Sequence, residues 1–362
     1  MPEIPEIKTL PTISFCSSVN DDIWHEQTGP NAFESWHFDA LSDDGREAVA
    51  ITFHDNYPLS SSYFLRMRNG NGGSDPPRRT PAVSFAYSRN GETVLRSLNE
   101  FSTEQFSVRP GDINCTIGRS SFDVGSAEYG SGYVLRINLM TARQRRIEAE
   151  MEWLSVEADL SKSGSDDDGS TYWNLVAPRS DVSGRMTLVG RRGKARKVVH
   201  FRGTGYHDHF RSSLALKESV GSRCWGRAHF IDSTAIFQCV SNDENPAGKA
   251  NLFLVRDGTI HERPAAIHLQ NFVRDRYGFR MPGRLSFVSD DNIRIRVKPL
   301  KLIESGFFEA KMLSEVTLML RDGKPRKTMG ITGFTAPKRM SNPVFRWISD
   351  LRTGRGGRSP LF

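Results

Sequence analysis

The stretch Arg146-Ile147-Glu148-Ala149-Glu150-Met151-Glu152-Trp153 alternates without a break. Successive side chains of an extended chain point to opposite faces. Ile147, Ala149, Met151 and Trp153 therefore share one face, and Glu148, Glu150 and Glu152 share the other. A strand with one apolar and one charged face is half buried and belongs to an antiparallel sheet. The same rhythm recurs upstream over residues 49–54, 82–87 and 132–139. Downstream it returns over 184–189, 225–231, 234–240, 250–255, 284–288, 293–297 and 314–320. Turn signals separate these runs: Ser42-Asp-Asp-Gly45, Arg89-Asn-Gly91, Arg109-Pro-Gly111, Arg256-Asp-Gly258 and Arg321-Asp-Gly323. Many short strands at this spacing predict an all-β chain built as a sandwich or barrel. The spacing predicts one short helix, over residues 342–351, with Pro343 in its first turn.

At roughly 150 residues per domain, 362 residues suggest two domains. Residues 69–77 and 161–170 read as loops, the first rich in Gly and Pro and the second in Ser and Asp. The basic run Arg191-Arg-Gly-Lys-Ala-Arg-Lys197 reads as a hinge, so the domains are placed at residues 1–195 and 196–362. Each half then carries about eight or more strands, enough to close one small barrel.

Lys and Arg number 49 against 42 Asp and Glu, a net charge of +7, while aromatics reach 10%. Aromatics spread along the whole chain argue against disorder. No apolar run is long enough for a membrane helix, and residues 1–10 do not read as a signal peptide. Cys16, Cys115, Cys224 and Cys239 form no CxxC pair and read as reduced thiols of a cytoplasmic protein. Arg143 to Arg146, Arg191 to Lys197 and the tail from Arg352 to Arg358 are the densest basic stretches. They read as solvated turns, and no nucleic-acid-binding signature accompanies them. The tail also suits peripheral contact with an anionic membrane surface, and an ordinary flexible terminus equally.

Two segments gather residues with catalytic potential. In Trp36-His-Phe-Asp-Ala-Leu-Ser-Asp-Asp-Gly45, His37 and Asp39 face away from Trp36 and Phe38. In Gly203-Thr-Gly-Tyr-His-Asp-His-Phe210, His207 and His209 point one way and Tyr206 and Asp208 the other. Trp36, Tyr172, Trp173, Tyr206 and Trp225 stand near these segments in sequence, and Arg227 follows Trp225. An Asp208 carboxyl in an apolar pocket is expected to hold its proton. It could then protonate an alkene, with His207 and His209 tuning or relaying, and aromatic faces stabilising the cation. An HxH pair is a common metal-ligand pair, but no third ligand follows nearby, so no metal is assigned. Nucleophile-elbow, phosphate-loop and dinucleotide motifs are absent, and no cofactor is indicated.

Trp36-His-Phe-Asp-Ala-Leu-Ser-Asp-Asp-Gly45, Tyr172-Trp-Asn174, Gly203-Thr-Gly-Tyr-His-Asp-His209 and Trp225-Gly-Arg227 together resemble the carotenoid 1,2-hydratase (hydroxyneurosporene synthase) and AttH-like superfamily. The resemblance spans roughly residues 24–335. It implies two lipocalin-like antiparallel β-barrels packed together around a hydrophobic ligand site. It also implies cofactor-free general-acid chemistry on polyenes or isoprenoids, with Asp208 as the acid. Tyr206, His207 and His209 would assist it, while Trp36, Asp39, Tyr172, Trp173, Trp225 and Arg227 would meet the substrate. Phe210-Arg211 follow the motif where the hydratases usually carry Asn-Trp-Gly, which favours cyclisation or isomerisation over hydration. A pericyclase shaping a polyene chain and a non-enzymatic lipid or isoprenoid carrier are the alternatives.

Overall fold

The computed structural model describes residues 13–26, 29, 31–69, 79–127, 130–163, 171–190, 193–216, 220–241, 248–321, 323–356 and 358–361. Most of the two loops read at 69–77 and 161–170 lies outside these residues, as do Arg191 and Arg192.

Strands are numbered along the chain. The first sheet holds β1 (Ile13–Cys16), β2 (Phe33–Ser42), β3 (Glu47–His54), β4 (Ala82–Arg89), β5 (Glu92–Glu100), β6 (Phe106–Ser107) and β7 (Asn114–Ile117). It continues with β8 (Ser120–Ala127), β9 (Gly130–Thr141), β10 (Arg145–Glu157), β12 (Thr171–Val189), β13 (Ala195–Ser212) and β22 (Gly354–Arg355). The second sheet holds β11 (Ser161–Ser163), β14 (Ser222–His229), β15 (Thr234–Ser241), β16 (Lys249–Arg256), β17 (Thr259–Arg274) and β18 (Arg280–Ser289). β19 (Arg294–Ser305), β20 (Glu309–Met319) and β21 (Arg326–Thr335) complete it. Two α-helices occur among the described residues, α1 (Ser61–Arg68) and α2 (Pro343–Leu351). The second is the predicted one, capped by the Asn342 side chain with Pro343 in its first turn.

The alternating stretch lies in β10, between β9 and β12 and antiparallel to both. Ile147, Ala149, Met151 and Trp153 are buried, while Glu150 and Glu152 are exposed. The hairpin turns fall where the signals placed them. Asn90 and Gly91 both take positive φ, 52° and 77°, between β4 and β5. That pair of angles is the mirror-image turn whose twist matches the strands, and glycine adopts it without steric cost.

The two sheets close differently. In the second, β14 to β21 form an eight-stranded ring, with β14 paired to β21 and β17 to β18. The first runs β22-β5-β4-β3-β2-β13-β12-β10-β9-β8-β7-β6 and curls until β5 meets β9. Side chains close that seam. Asn99 donates to the Met140 carbonyl at 2.8 Å and accepts its N–H at 2.9 Å, and Thr141 donates to the Arg96 carbonyl at 2.9 Å. Each unit has its own core. Trp36, Phe38, Phe122 and Trp153 help fill the first, and Phe237, Phe287, Val297 and Val316 the second. A third cluster, with Phe33, Trp173, Phe210, Ile236 and Phe253, joins the two.

The described part of the expected hinge, Gly193 to Lys197, leads into β13, which is paired with β12 in the first sheet. The chain crosses to the second sheet after Ser212. The units also exchange strands: β11 pairs with β17, and β22 returns to β5. The basic tail is docked rather than free. Arg355 binds Glu100 and Asp350, and Arg352 donates to the Ser305 carbonyl.

Candidate functional site

The strand that carries Tyr206 to His209 is β13, held between β12 and β2. Its register sets Tyr206 opposite Asp39, His207 opposite Phe38, Asp208 opposite His37 and His209 opposite Trp36. Gly205 is there for closeness of approach: a Cβ at this position would lie 2.5 Å from Trp153 Nε1. Alternation then sends the motif's side chains to two separate places.

His207 and His209 enter the first barrel. His207 is stacked on Phe38 at 3.8 Å, and His209 on Trp36 at 4.7 Å. His207 Nε2 lies 2.9 Å from Asp22 Oδ2, which also accepts the Tyr133 hydroxyl at 2.8 Å. His209 reaches Asp22 Oδ1 through Nδ1 at 3.2 Å and Glu34 Oε2 through Nε2 at 3.0 Å. Burial opposes charge here, yet the paired groups prevail. Asp22 and Glu34 are held down at about 2 against that burial, by His207 and His209 and by His209 and His25 respectively. Burial would lower His209, but its bonds to Asp22 and Glu34 lift it to about 9.

Tyr206 and Asp208 face the other way, toward the second barrel. Asp208 Oδ2 accepts Trp173 Nε1–H at 2.7 Å and the Tyr206 hydroxyl at 2.9 Å. Burial, with Asp208 beside it, pushes the Tyr206 hydroxyl well above its ordinary range. Asp208 borders a cavity of about 130 Å³ between the two sheets. Ligand pockets commonly run about 300–1,000 Å³, so this is a small cavity. Phe33, Tyr57, Leu59, Phe210, Leu216, Val220 and Trp225 supply much of the apolar wall. Ser35, His37, Thr52 and His54 reach it from the first sheet, and Arg223, Glu309, Lys311 and Thr335 from the second. Burial, helped by Lys311 and His37, drives His54 down to about 3. Burial lifts the Glu309 carboxyl against the pull of Lys311. Burial lowers the Arg223 guanidinium, opposed by Asp208.

Asp39 and Arg227 form a buried ion pair from β2 to β14, and so from one unit to the other. Asp39 also lies 3.1 Å from His37 Nε2, and Arg227 2.8 Å from His229 Nε2. Burial would raise Asp39, but Arg227 and His37 hold it low. The Arg227 guanidinium sits over the Tyr206 ring at 5.4 Å.

Of the residues the sequence singled out, the cavity brings together His37, Asp208 and Trp225. Trp173 and Tyr206 stand directly behind Asp208, and together with Arg227 they border a smaller void beside it. Asp39 serves the tie between the units. Three expectations are corrected. His207 and His209 cannot relay to Asp208, because the β13 backbone separates them. Trp36 is fully buried inside the first barrel, packed on His209, and does not border the cavity. Tyr172 lies under the Arg211 guanidinium at 4.4 Å, on the face of β12 opposite Trp173, and is not among the cavity-lining residues. His54, Arg223, Glu309 and Lys311 were missed. They come from three further strands, and no local pattern marked them.

The comparisons with known proteins agree with this architecture. No family model matches the chain. A curated relative, hydroxyneurosporene dehydrogenase of Chlorobaculum tepidum, is 21% identical over 353 residues, covering 92% of this chain and 90% of its own. Among solved structures, CghA with Sch210972 superposes with a TM-score of 0.61 at 16% identity, covering 90% of this chain and 94% of its own. An AttH-named protein of Nitrosomonas europaea reaches 0.59 at 17% identity, covering 88% and 96%. Kievitone hydratase of Nectria haematococca reaches 0.56 at 9% identity, covering 90% and 97%. The chain thus has the tandem lipocalin-like fold that the sequence resemblance implied.

Proposed function

We propose that the chain is an enzyme of the lyase or isomerase kind that protonates a hydrophobic polyene or terpenoid-like substrate between its two barrels. Asp208 is the proton donor in this reading. The observation that carries it is the placement of one carboxyl group, held from behind by Trp173 and Tyr206, at the edge of a largely apolar cavity. Both hydrogen bonds fall on Oδ2, so Oδ1 is the oxygen available to a substrate. A protonated Asp208 gives its proton to one carbon of an alkene, and the π electrons form the new C–H bond. The neighbouring carbon becomes cationic, and the faces of Trp225, Phe33 and Phe210 can stabilise it, by about 2 kcal/mol for a desolvated contact. Ring closure followed by proton loss to the Asp208 carboxylate completes a cyclisation, and proton loss alone an isomerisation. Capture by water, with the spare proton returned to Asp208, completes a hydration. A cavity of about 130 Å³ suits a compact terpenoid, or the end of a longer polyene, better than a whole carotenoid.

Two proteins of this fold support a reaction on a small molecule: one is named a hydratase and another was solved with a bound compound. The curated relative, named hydroxyneurosporene dehydrogenase, supports the substrate class and not the reaction type.

The test is incubation with acyclic isoprenoid polyenes, hydroxyneurosporene first, in deuterated water, with products read by mass spectrometry. Wild-type protein should place solvent deuterium on carbon, and Asp208→Asn should not. Turnover without deuterium uptake, at equal rate in Asp208→Asn, would replace protonation with pericyclic shaping of the chain. Unchanged release of a co-purified apolar ligand would indicate a carrier.

A further inference from the structure

On the opposite face of β13 from Asp208, we infer a divalent-metal site formed by His25, Glu34 and His209, with zinc as the ion that the donor set suits best. One ligand atom from each of the three lies within 4.8 Å of the others. Glu34 Oε2 is 3.0 Å from His209 Nε2 and 3.5 Å from His25 Nδ1. Ligands roughly 2.1 Å from a tetrahedral zinc stand roughly 3.4 Å apart, so these spacings match the edges of such a site.

Two further features point to an ion rather than to a plain ion-pair network. His25 Nδ1 is buried and stands 3.5 Å from Glu34 Oε2, too far for a strong hydrogen bond, with no closer polar partner among the described residues. The second nitrogen of each imidazole is already taken by a carboxylate. His25 Nε2 lies 3.1 Å from Asp21 Oδ1, and His209 Nδ1 3.2 Å from Asp22 Oδ1. Metal-bound histidines typically give their other N–H to such a partner, which fixes the ring and its tautomer. The Glu34 carboxylate is itself oriented by the His25 backbone N–H, at 3.1 Å from Oε1 and 3.3 Å from Oε2.

Charge favours a cation as well. Asp21, Asp22, Glu34 and Asp55 face Arg211 and Arg79, the former on Asp21 and the latter on Asp55. With both imidazoles neutral two negative charges remain, and one divalent ion takes the place of the positive charge that a protonated His209 otherwise supplies to them. Such an ion would pin His25, before β2, to β2 and β13 in the middle of the first sheet. The adjacent pair His207–His209 is not the ligand set, since His207 Nε2 is bound to Asp22.

The full-length chain, purified without an affinity tag and stripped with chelator, is titrated with Zn²⁺ and with Co²⁺. One equivalent of either should bind, Zn²⁺ should raise the melting temperature, and the Co²⁺ spectrum should lack a thiolate charge-transfer band. His25→Ala, in a partly exposed segment, should abolish stoichiometric uptake while keeping the β-sheet circular dichroism. Asp21→Asn, which leaves all three ligands in place, should weaken binding by about 10–100-fold. Uptake equal in wild type and His25→Ala, a thiolate band, or no binding by folded wild-type protein would overturn the site.

Discussion

One strand, β13, presents two environments that differ in what their charges meet. On its inner face every charged group meets a protein partner: His207 and His209 are bound to Asp22 and Glu34 and sandwiched on Phe38 and Trp36. On its outer face Asp208 is bound on one oxygen only and borders open space. A buried charge without a partner costs several kcal/mol, so the inner face must be complete for the barrel to stand. The outer-face carboxyl can stay incomplete on one oxygen, because the cavity admits solvent or substrate to finish its hydrogen bonding. The difference separates groups that hold the fold from groups that can act on a ligand, although they are neighbours in sequence.

Substituting the two faces separately should expose that division most sharply. Asp208→Asn keeps the shape and should lower turnover by about 10²–10⁴-fold, the usual contribution of a positioned acid, while leaving the melting curve nearly unchanged. His207→Ala strips a partner from Asp22 and should cost about 3–5 kcal/mol in stability, with turnover per folded molecule little altered. Chemical denaturation and rate measurements on the same preparations check both. If His207→Ala loses turnover while folded, the two faces are coupled and the comparison fails.

The tie between the units should follow the inner-face rule, although it borders the interface. Arg227→Met leaves the buried Asp39 with His37 but without its ion-pair partner and should destabilise by about 3–5 kcal/mol. Adding Asp39→Asn should recover a large part of that, because the stranded charge is gone, and a double-mutant cycle by urea unfolding measures the recovery. Additive losses would show that Asp39 and Arg227 are not energetically coupled.

Much of this fold was legible in the sequence because its signals are local. Alternation in residues 146–153 and turn pairs such as Asn90-Gly91 declare strands and hairpins without any distant partner. The misplaced boundary shows the limit. Gly190 donates its N–H to the Lys194 carbonyl between two paired strands of one sheet, and a basic, glycine-containing stretch has the composition of a linker. Only the pairing of β13 with β2, more than 160 residues earlier, tells the two apart. The site divides in the same way. Alternation correctly sent His207 and His209 away from Tyr206 and Asp208, but closeness in sequence still suggested one proton relay. Glu34 carried a readable signal, a carboxylate on the same face of its strand as Trp36 and Phe38. Arg223, Glu309 and Lys311 carried none, since they reach the cavity only when the second barrel docks on the first.

The smallest expected effect concerns His54, which belongs to the cavity side yet is silenced by burial. Its imidazole lies 2.7 Å from Ser35 Oγ through Nδ1, with Lys311 and His37 adding positive charge nearby. Its folded-state value of about 3 lies below the 6.5 of a free histidine. Between those values the unfolded chain binds a proton that the folded one refuses, so stability rises with pH across this window. The contribution is present above pH 6.5 and is lost as pH falls toward 3. Asp22 and Glu34 weaken the fold as pH falls through the ordinary carboxylate range toward about 2. His229, pushed well below its ordinary value by burial, and Asp55, raised by burial to about 6, also titrate between pH 4.5 and 6.5, so the His54 share is isolated by comparing wild type with its own variant. His54→Gln keeps a group able to bond Ser35 and removes the titration. Its stability should therefore fall less than that of wild type between pH 6.5 and 4.5, measured by urea unfolding at each pH. Parallel losses in the two proteins would mean that His54 takes up its proton inside the cavity as readily as in water, placing it with Asp208 among the groups left open to a ligand.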